Sequence, residues 1–369
     1  MMIAGHSGNL QADKNLYKAA NHIPEHTLLP VDFETKEQIY DFNLFHHFVH
    51  PMLSGVDVTC ILDSYDGGSI IDLPYIYSND QQSIEMEESL QNMSNLAFMY
   101  TTGGYELPDM FDGDVIDQIE SSTNESMNAL QSIYIDDVRK DGIATVPVAT
   151  EVDYESSSEY DEYGTTLGTG ISGTSGTSFA NQSEALIPAV VRMISGCADQ
   201  QTSADVSNVA SMSELPDPAG KSGGALTSVL LDVLYKSSKS ASFQTVLLEV
   251  RERMSAQGLS QIPQLSSSRR LDVVKTPLEF SEGSGKKRAL LVGINYVGQN
   301  GELRGCQNDV LNVKKYIQEE HGFPDCDIVV LMDDGKNSHP TRENLIKALQ
   351  KLVKDSKEGD SVFFHYSGE

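Results

Sequence analysis

The stretch VDVTCILDSYDGGSIID, residues 56–72, decides how the rest of the chain is read. Residues 56–62 are apolar and rich in β-branched side chains, the composition of a strand buried on both faces. Asp63, Ser64, Tyr65, Asp66, Gly67 and Gly68 follow directly. A strand that runs into a polar, glycine-containing turn is where an α/β sheet presents functional groups. The spacing of apolar residues on either side repeats the theme. Helical spacing is expected over 37–49, 81–100, 223–235, 243–254, 309–320 and 341–353, with Thr341 as a cap. Short apolar runs at 27–33, 189–196, 262–267, 289–294, 328–332 and 361–365 read as strands. Strands alternating with helices of this length imply a mainly parallel sheet covered on both faces.

The whole chain holds 54 acidic and 26 basic residues, and the excess is local: residues 1–180 carry 30 Asp and Glu against 5 Lys and Arg. A charge this negative argues against nucleic acid or an anionic membrane as partner and suits basic peptides or divalent cations. Cys60, Cys197, Cys306 and Cys326 are scattered without a CxxC pair, which argues for a reducing compartment and against a disulfide framework. No run of apolar residues is long enough to span a bilayer, and the first residues form no signal peptide, so the expectation is a soluble cytoplasmic protein. Residues 101–185 are acidic and rich in Gly, Ser and Thr, a composition expected to stay disordered.

The stretch at 56–72 resembles the nucleophile turn of metacaspases, the caspase-like cysteine endopeptidases, where the strand ends Asp-Ser-Cys-His-Ser-Gly. Further strings carry the same resemblance: RALLVGINY (288–296), LRGCQND (303–309), FFHYSG (363–368), AGHSG (4–8), LPVDF (29–33) and ISGCADQQTSAD (194–205). The resemblance implies a three-layer caspase-like α/β fold with a central, mostly parallel sheet. It divides the chain into a middle part of the family domain (1–100), the acidic insertion (101–185), a small-subunit-like part (186–267), a linker (268–285) and the opening part of the caspase domain (286–369). The order differs from the family's, because the His turn comes first and the opening block last. The chain is therefore expected to be a piece of a tandem array, an incomplete gene product or a circular permutant. Permutation at a surface turn is tolerated in many folds.

The resemblance also assigns chemistry. The family nucleophile position is occupied by Tyr65, and Glu369 stands where the family places its catalytic His. A phenol with a reference pKa near 10, against about 8.5 for a thiol, does not replace a thiolate. His6, in the AGHSG string, is the candidate base. Asp63, Asp309 and Ser367 match the positions that form a pocket for an Arg or Lys side chain, which two carboxylates and a hydroxyl suit. They come from opposite ends of the chain, so the pocket requires both blocks to form one sheet. Asp41 and Asp72 match calcium ligands, and Phe42 replaces the second Asp of a pair, so a weakened calcium site is expected.

Other features receive plainer readings. Cys60 is expected to pack in the core. Cys306 matches a family cysteine near the pocket, with no base beside it. His46 and His50 share metal-ligand spacing without a third ligand, so they and His47 are read as a solvated helix face. Gly220, Lys221 and Ser222 look like a phosphate-loop fragment but lack its first glycine. Arg139 and Lys140 read as an exposed basic pair. The expected function is a metacaspase homologue without its own complete dyad, binding basic peptides or an active metacaspase paralogue. The alternatives are a fragment of an active tandem metacaspase cleaving after Arg or Lys, and a purely structural interaction domain.

Overall fold

A computed structural model describes residues 27–64, 70–80, 83–102, 175–196, 205–206, 208–209, 214–280 and 284–369. Its centre is an eight-stranded sheet in the order β11-β10-β12-β3-β6-β9-β4-β5. These strands are β3 (Asp57–Asp63), β4 (Tyr75–Asp80), β5 (Ser83–Glu88), β6 (Val190–Ser195), β9 (Gln264–Ser267), β10 (Lys287–Gly293), β11 (Ile328–Met332) and β12 (Ser361–Ser367). The five strands from β11 to β6 run parallel, while β9, β4 and β5 are antiparallel. Two small ribbons flank this sheet: β1 (Thr27–Leu28) with β2 (Ile39–Tyr40), and β7 (Asp205–Val206) with β8 (Gly223–Gly224).

Strand β12 joins the two ends of the chain. It lies between β10 and β3, and its register pairs Ser361 with Asp57 and Ser367 with Asp63. Both of its faces are buried, as its continuous apolar run requires. Phe363 packs on Phe280 and Phe323 on one side, and Phe364 meets Phe48 on the other. The early and late blocks therefore share one sheet and one core.

Helices cover both faces. On one lie α4 (Ala225–Lys236), α5 (Phe243–Ala256) and α6 (Cys306–His321). On the other lie α1 (Asp41–Leu44), α2 (Leu90–Thr102), α3 (Ser175–Leu186) and α7 (Arg342–Asp355). Helix α7 begins as its sequence demands: Thr341 Oγ1 accepts from the amide of Asn344, and Glu343 sits in the first turn. Helix α6 ends on Gly322, whose φ of 67° is the left-handed conformation that glycine adopts without strain.

Several expectations change. Residues 37–49 are not one α-helix. Ile39 and Tyr40 pair with β1, α1 takes four residues, and Phe45–Val49 winds as a π-helix. The outcome for the histidines there is the reverse of a solvated face, because His46 and His47 are 5% and 1% exposed. His50 Nδ1 donates to the Leu186 carbonyl at 2.7 Å, which ties this turn to the end of α3. The stretch 81–100 is also divided. Ile84 and Met86 alternate with Glu85 and Glu87, a period of two, and residues 83–88 form edge strand β5. The helix starts only after Ser89, whose hydroxyl accepts from the Asn92 amide.

The acidic insertion does not extend through 185 as unstructured chain. Its end is helix α3, which buries Phe179 and Leu186 and donates from Ser183 Oγ to the Ser268 carbonyl. The linker 268–285 is likewise part of the core over much of its length. Val273, Leu278 and Phe280 are buried, and the Phe243 and Gln244 amides at the start of α5 donate to the carbonyls of Thr276 and Val273. Single large apolar residues in a polar segment were enough to anchor it. His6, Tyr65, Cys197 and the Arg139–Lys140 pair lie outside the described residues. Among the described residues, no helix is long and apolar enough to cross a membrane.

Candidate functional site: a buried acidic pair at the ends of the parallel strands

The carboxyl ends of parallel strands are where an α/β sheet leaves room for a ligand. Here β10, β12 and β3 end side by side at Gly293, Ser367 and Asp63, in register. Asp309 rises beside them from the first turn of α6. Helix α6 can lie this close because Gly293 has no side chain: a Cβ there would stand 2.5 Å from the Cys306 carbonyl oxygen.

Three of the expected residues therefore meet. Ser367 Oγ donates to Asp309 Oδ2 at 2.8 Å. All three are enclosed, with Asp63 at 5%, Asp309 at 0% and Ser367 at 1% exposure. Asp63 and Thr227 come from one block of the sequence, and Asp309 and Ser367 from the other.

Two residues not singled out by the sequence complete the arrangement. The Gly224 amide donates to Asp309 Oδ2 at 2.8 Å. Thr227 donates twice to Asp63 Oδ2, from its amide at 2.9 Å and its hydroxyl at 2.8 Å. Thr227 is the third residue of α4, so Asp63 satisfies an amide that the helix itself leaves unbonded. Its carboxyl group also lies at the positive end of the helix dipole. All these donors are neutral. A sequence signal existed: a Gly-Gly pair opens the helix, directly after the fragment set aside as a failed phosphate loop.

The segment 214–224 that delivers Gly224 is moored to α6. Asn308 Nδ2 donates to the Ser222 carbonyl at 2.8 Å, Asn312 Oδ1 accepts from the Ala219 amide at 2.8 Å, and Ser222 Oγ donates to the Arg304 carbonyl at 2.6 Å. Gly224 lies hard against both carboxylates. A Cβ at that position would stand 2.1 Å from Asp63 Oδ2 and 3.0 Å from Asp309 Oδ2.

The other expected residues are placed as follows. Cys60 is fully buried in β3, and burial pushes its thiol pKa up, so it packs rather than reacts. Cys306 is buried as the first residue of α6. Glu369 is held through its backbone: its amide donates to Tyr296 Oη at 3.0 Å, and its carbonyl accepts from the Leu29 amide at 2.9 Å. Tyr296 in turn donates to the Leu29 carbonyl at 2.7 Å, so the LPVDF string docks beside the end of β12.

Asp41 and Asp72 are both buried. Asp41 Oδ1 accepts from the Phe42 amide at 2.7 Å, and Asp72 Oδ2 accepts from Asn95 Nδ2 at 3.3 Å. A hard dication wants six to eight oxygens. Among the described residues, no three His, Cys, Asp or Glu side chains gather in a way that could hold a metal ion, and Asp41 and Asp72 each already accept a protein donor.

Comparison with known proteins identifies the family. The family model described as "Caspase domain" matches residues 1–274, and the one described as "Metacaspase, peptidase C14 domain" matches residues 287–369. Metacaspase III c of Phaeodactylum tricornutum is 50% identical over 196 residues, which is 52% of this chain and 58% of that protein. Metacaspase-1 of Botryotinia fuckeliana is 51% identical over 92 residues, 24% of this chain and 22% of that one. Metacaspase-1 of Mycosarcoma maydis is 52% identical over 92 residues, covering 24% and 23%. The chain thus spans from about a fifth to somewhat over half the length of these relatives.

Proposed function

The chain belongs to the metacaspase family of caspase-domain peptidases, and from that premise we propose that it is a disarmed member which recognises basic side chains without cutting beside them. The observation carrying this reading is the meeting of Asp63, Asp309 and Ser367, from opposite ends of the sequence, at the carboxyl edge of one sheet. Two carboxylates and a hydroxyl suit a guanidinium or ammonium group. Partners of this chemistry are an Arg- or Lys-containing peptide or the basic surface of an active metacaspase paralogue.

Tyr65 occupies the nucleophile position and Glu369 the family's His position. Peptide hydrolysis by a cysteine peptidase needs a thiolate and a base to make it. A phenol at Tyr65 supplies no such nucleophile near neutral pH, and His6 is the sole candidate base the family strings assign. Calcium binding through Asp41 and Asp72 is weak in this reading, since Phe42 removes a ligand.

The test assays the purified chain against an Arg-containing fluorogenic peptide, with and without calcium, beside a Tyr65→Cys variant. The unaltered chain is expected to bind and not to cleave, and activity that appears only in the variant supports a disarmed site. Cleavage by the unaltered chain would show an active peptidase cutting after Arg or Lys. Absence of peptide binding in both would leave a purely structural interaction domain.

A further inference from the structure

We propose that Thr227 is a positioning residue for recognition of a guanidinium group, acting through Asp63. The inference rests on the basic-side-chain reading of the pocket and adds to it a residue that grips no ligand itself. A planar guanidinium presents its N–H donors in a fixed fork, so it binds best to acceptor oxygens whose positions are already set. A carboxylate on a single χ2 torsion is otherwise free to turn, and fixing it during binding costs affinity.

Thr227 fixes it in advance. Amide and hydroxyl converge on the same oxygen, Asp63 Oδ2, at 2.9 and 2.8 Å. Thr227 is itself immobile, 1% exposed in the first turn of α4. Asp309 receives the same treatment from the Gly224 amide and Ser367, also on one oxygen. The moorings of Ser222 and Ala219 to α6 keep α4 and α6 in step, so the two carboxylates are aligned with respect to each other. An ammonium group is a point charge with no plane to match, so it gains less from this alignment.

The experiment titrates the full chain with Nα-dansyl-L-arginine amide and its lysine counterpart by fluorescence anisotropy across pH 4–8. Thr227→Val removes the hydroxyl and keeps the shape and the amide. It is expected to weaken arginine-probe binding about tenfold, to weaken the lysine probe less, and to move the acid limit of binding to higher pH. Thr227→Ser should restore all three. If the valine variant fails to fold by circular dichroism, Thr227→Ala removes the same hydroxyl with less bulk.

Wild-type affinity for both probes in the folded variant overturns the proposal. So does an equal loss for both probes with an unmoved acid limit, the mark of a merely structural cap. Asp63→Asn separates the two levels. If it binds the arginine probe like the wild type, or if the wild type binds neither probe, the pocket reading itself fails. If it abolishes binding while Thr227→Val changes nothing, only the positioning role fails.

Discussion

Replacing Gly224 with alanine tests how the pocket is built. The Gly224 backbone has φ −66° and ψ 144°, a conformation open to any L-residue. On backbone grounds alone the substitution should stabilise the chain by about 0.4–1 kcal/mol through the unfolded state. The new methyl, however, would stand 2.1 Å from Asp63 Oδ2. Relief requires the carboxylate to move by about an ångström, which breaks the two bonds from Thr227. Hydrogen bonds to a charged group are worth about 1.5–3 kcal/mol each. Subtracting the entropic gain and allowing for partial relaxation leaves a net destabilisation of about 2–4 kcal/mol. Urea unfolding of the full chain measures it as a lower midpoint at unchanged slope. A double-mutant cycle with Thr227→Val assigns the cause. In that background part of the interaction is already gone, so Gly224→Ala should cost less. A neutral or stabilising Gly224→Ala, or strictly additive losses, would refute the packing argument.

Three further outcomes are expected. His365 is fully buried, its Nδ1 donates to the Ile61 carbonyl at 3.0 Å, and burial lowers its pKa to about 4. The unfolded chain therefore binds more protons than the native one between about pH 4 and 6.5, so stability should fall as pH drops through that window. His365→Asn should flatten part of the slope seen in urea midpoints between pH 7 and pH 5, and an unchanged slope would count against it. Phe363→Ala opens a hole between Phe280 and Phe323 on one side of β12, and should cost about 3–5 kcal/mol in the same unfolding assay. Calcium titrated calorimetrically should reach half-saturation only near or above about 1 mM, and micromolar saturation would show a donor set beyond Asp41 and Asp72.

Local patterns carried the architecture a long way. The buried runs at 56–62, 289–294 and 361–365 became adjacent parallel strands, and Thr341 capped the helix expected after it. The readings that changed were those in which a local pattern had two outcomes. Residues 83–88 fit helical and strand spacing alike, and pairing with β4 decided for the strand. The histidines on 46–50 look polar in sequence, but α1 and the π-turn lie inside the helical layer, where burial drives the His46 pKa down to about 3. The linker and the tail of the acidic insertion hold few apolar residues, and Phe280 and Phe179 found places in the core all the same.

The order of residues along the chain, read through its resemblance to family motifs, named the acidic pair and its serine. It could not place Asp309 beside Asp63, since 245 intervening positions leave their separation to the order in which strands join the sheet. Nor could it find Thr227 and Gly224, whose part depends on donors converging through space on oxygens from other segments. The register of β12 against β3, and the mooring of the 214–224 segment on α6, set those distances. Both are properties of packing and exist only once the two blocks have closed on each other.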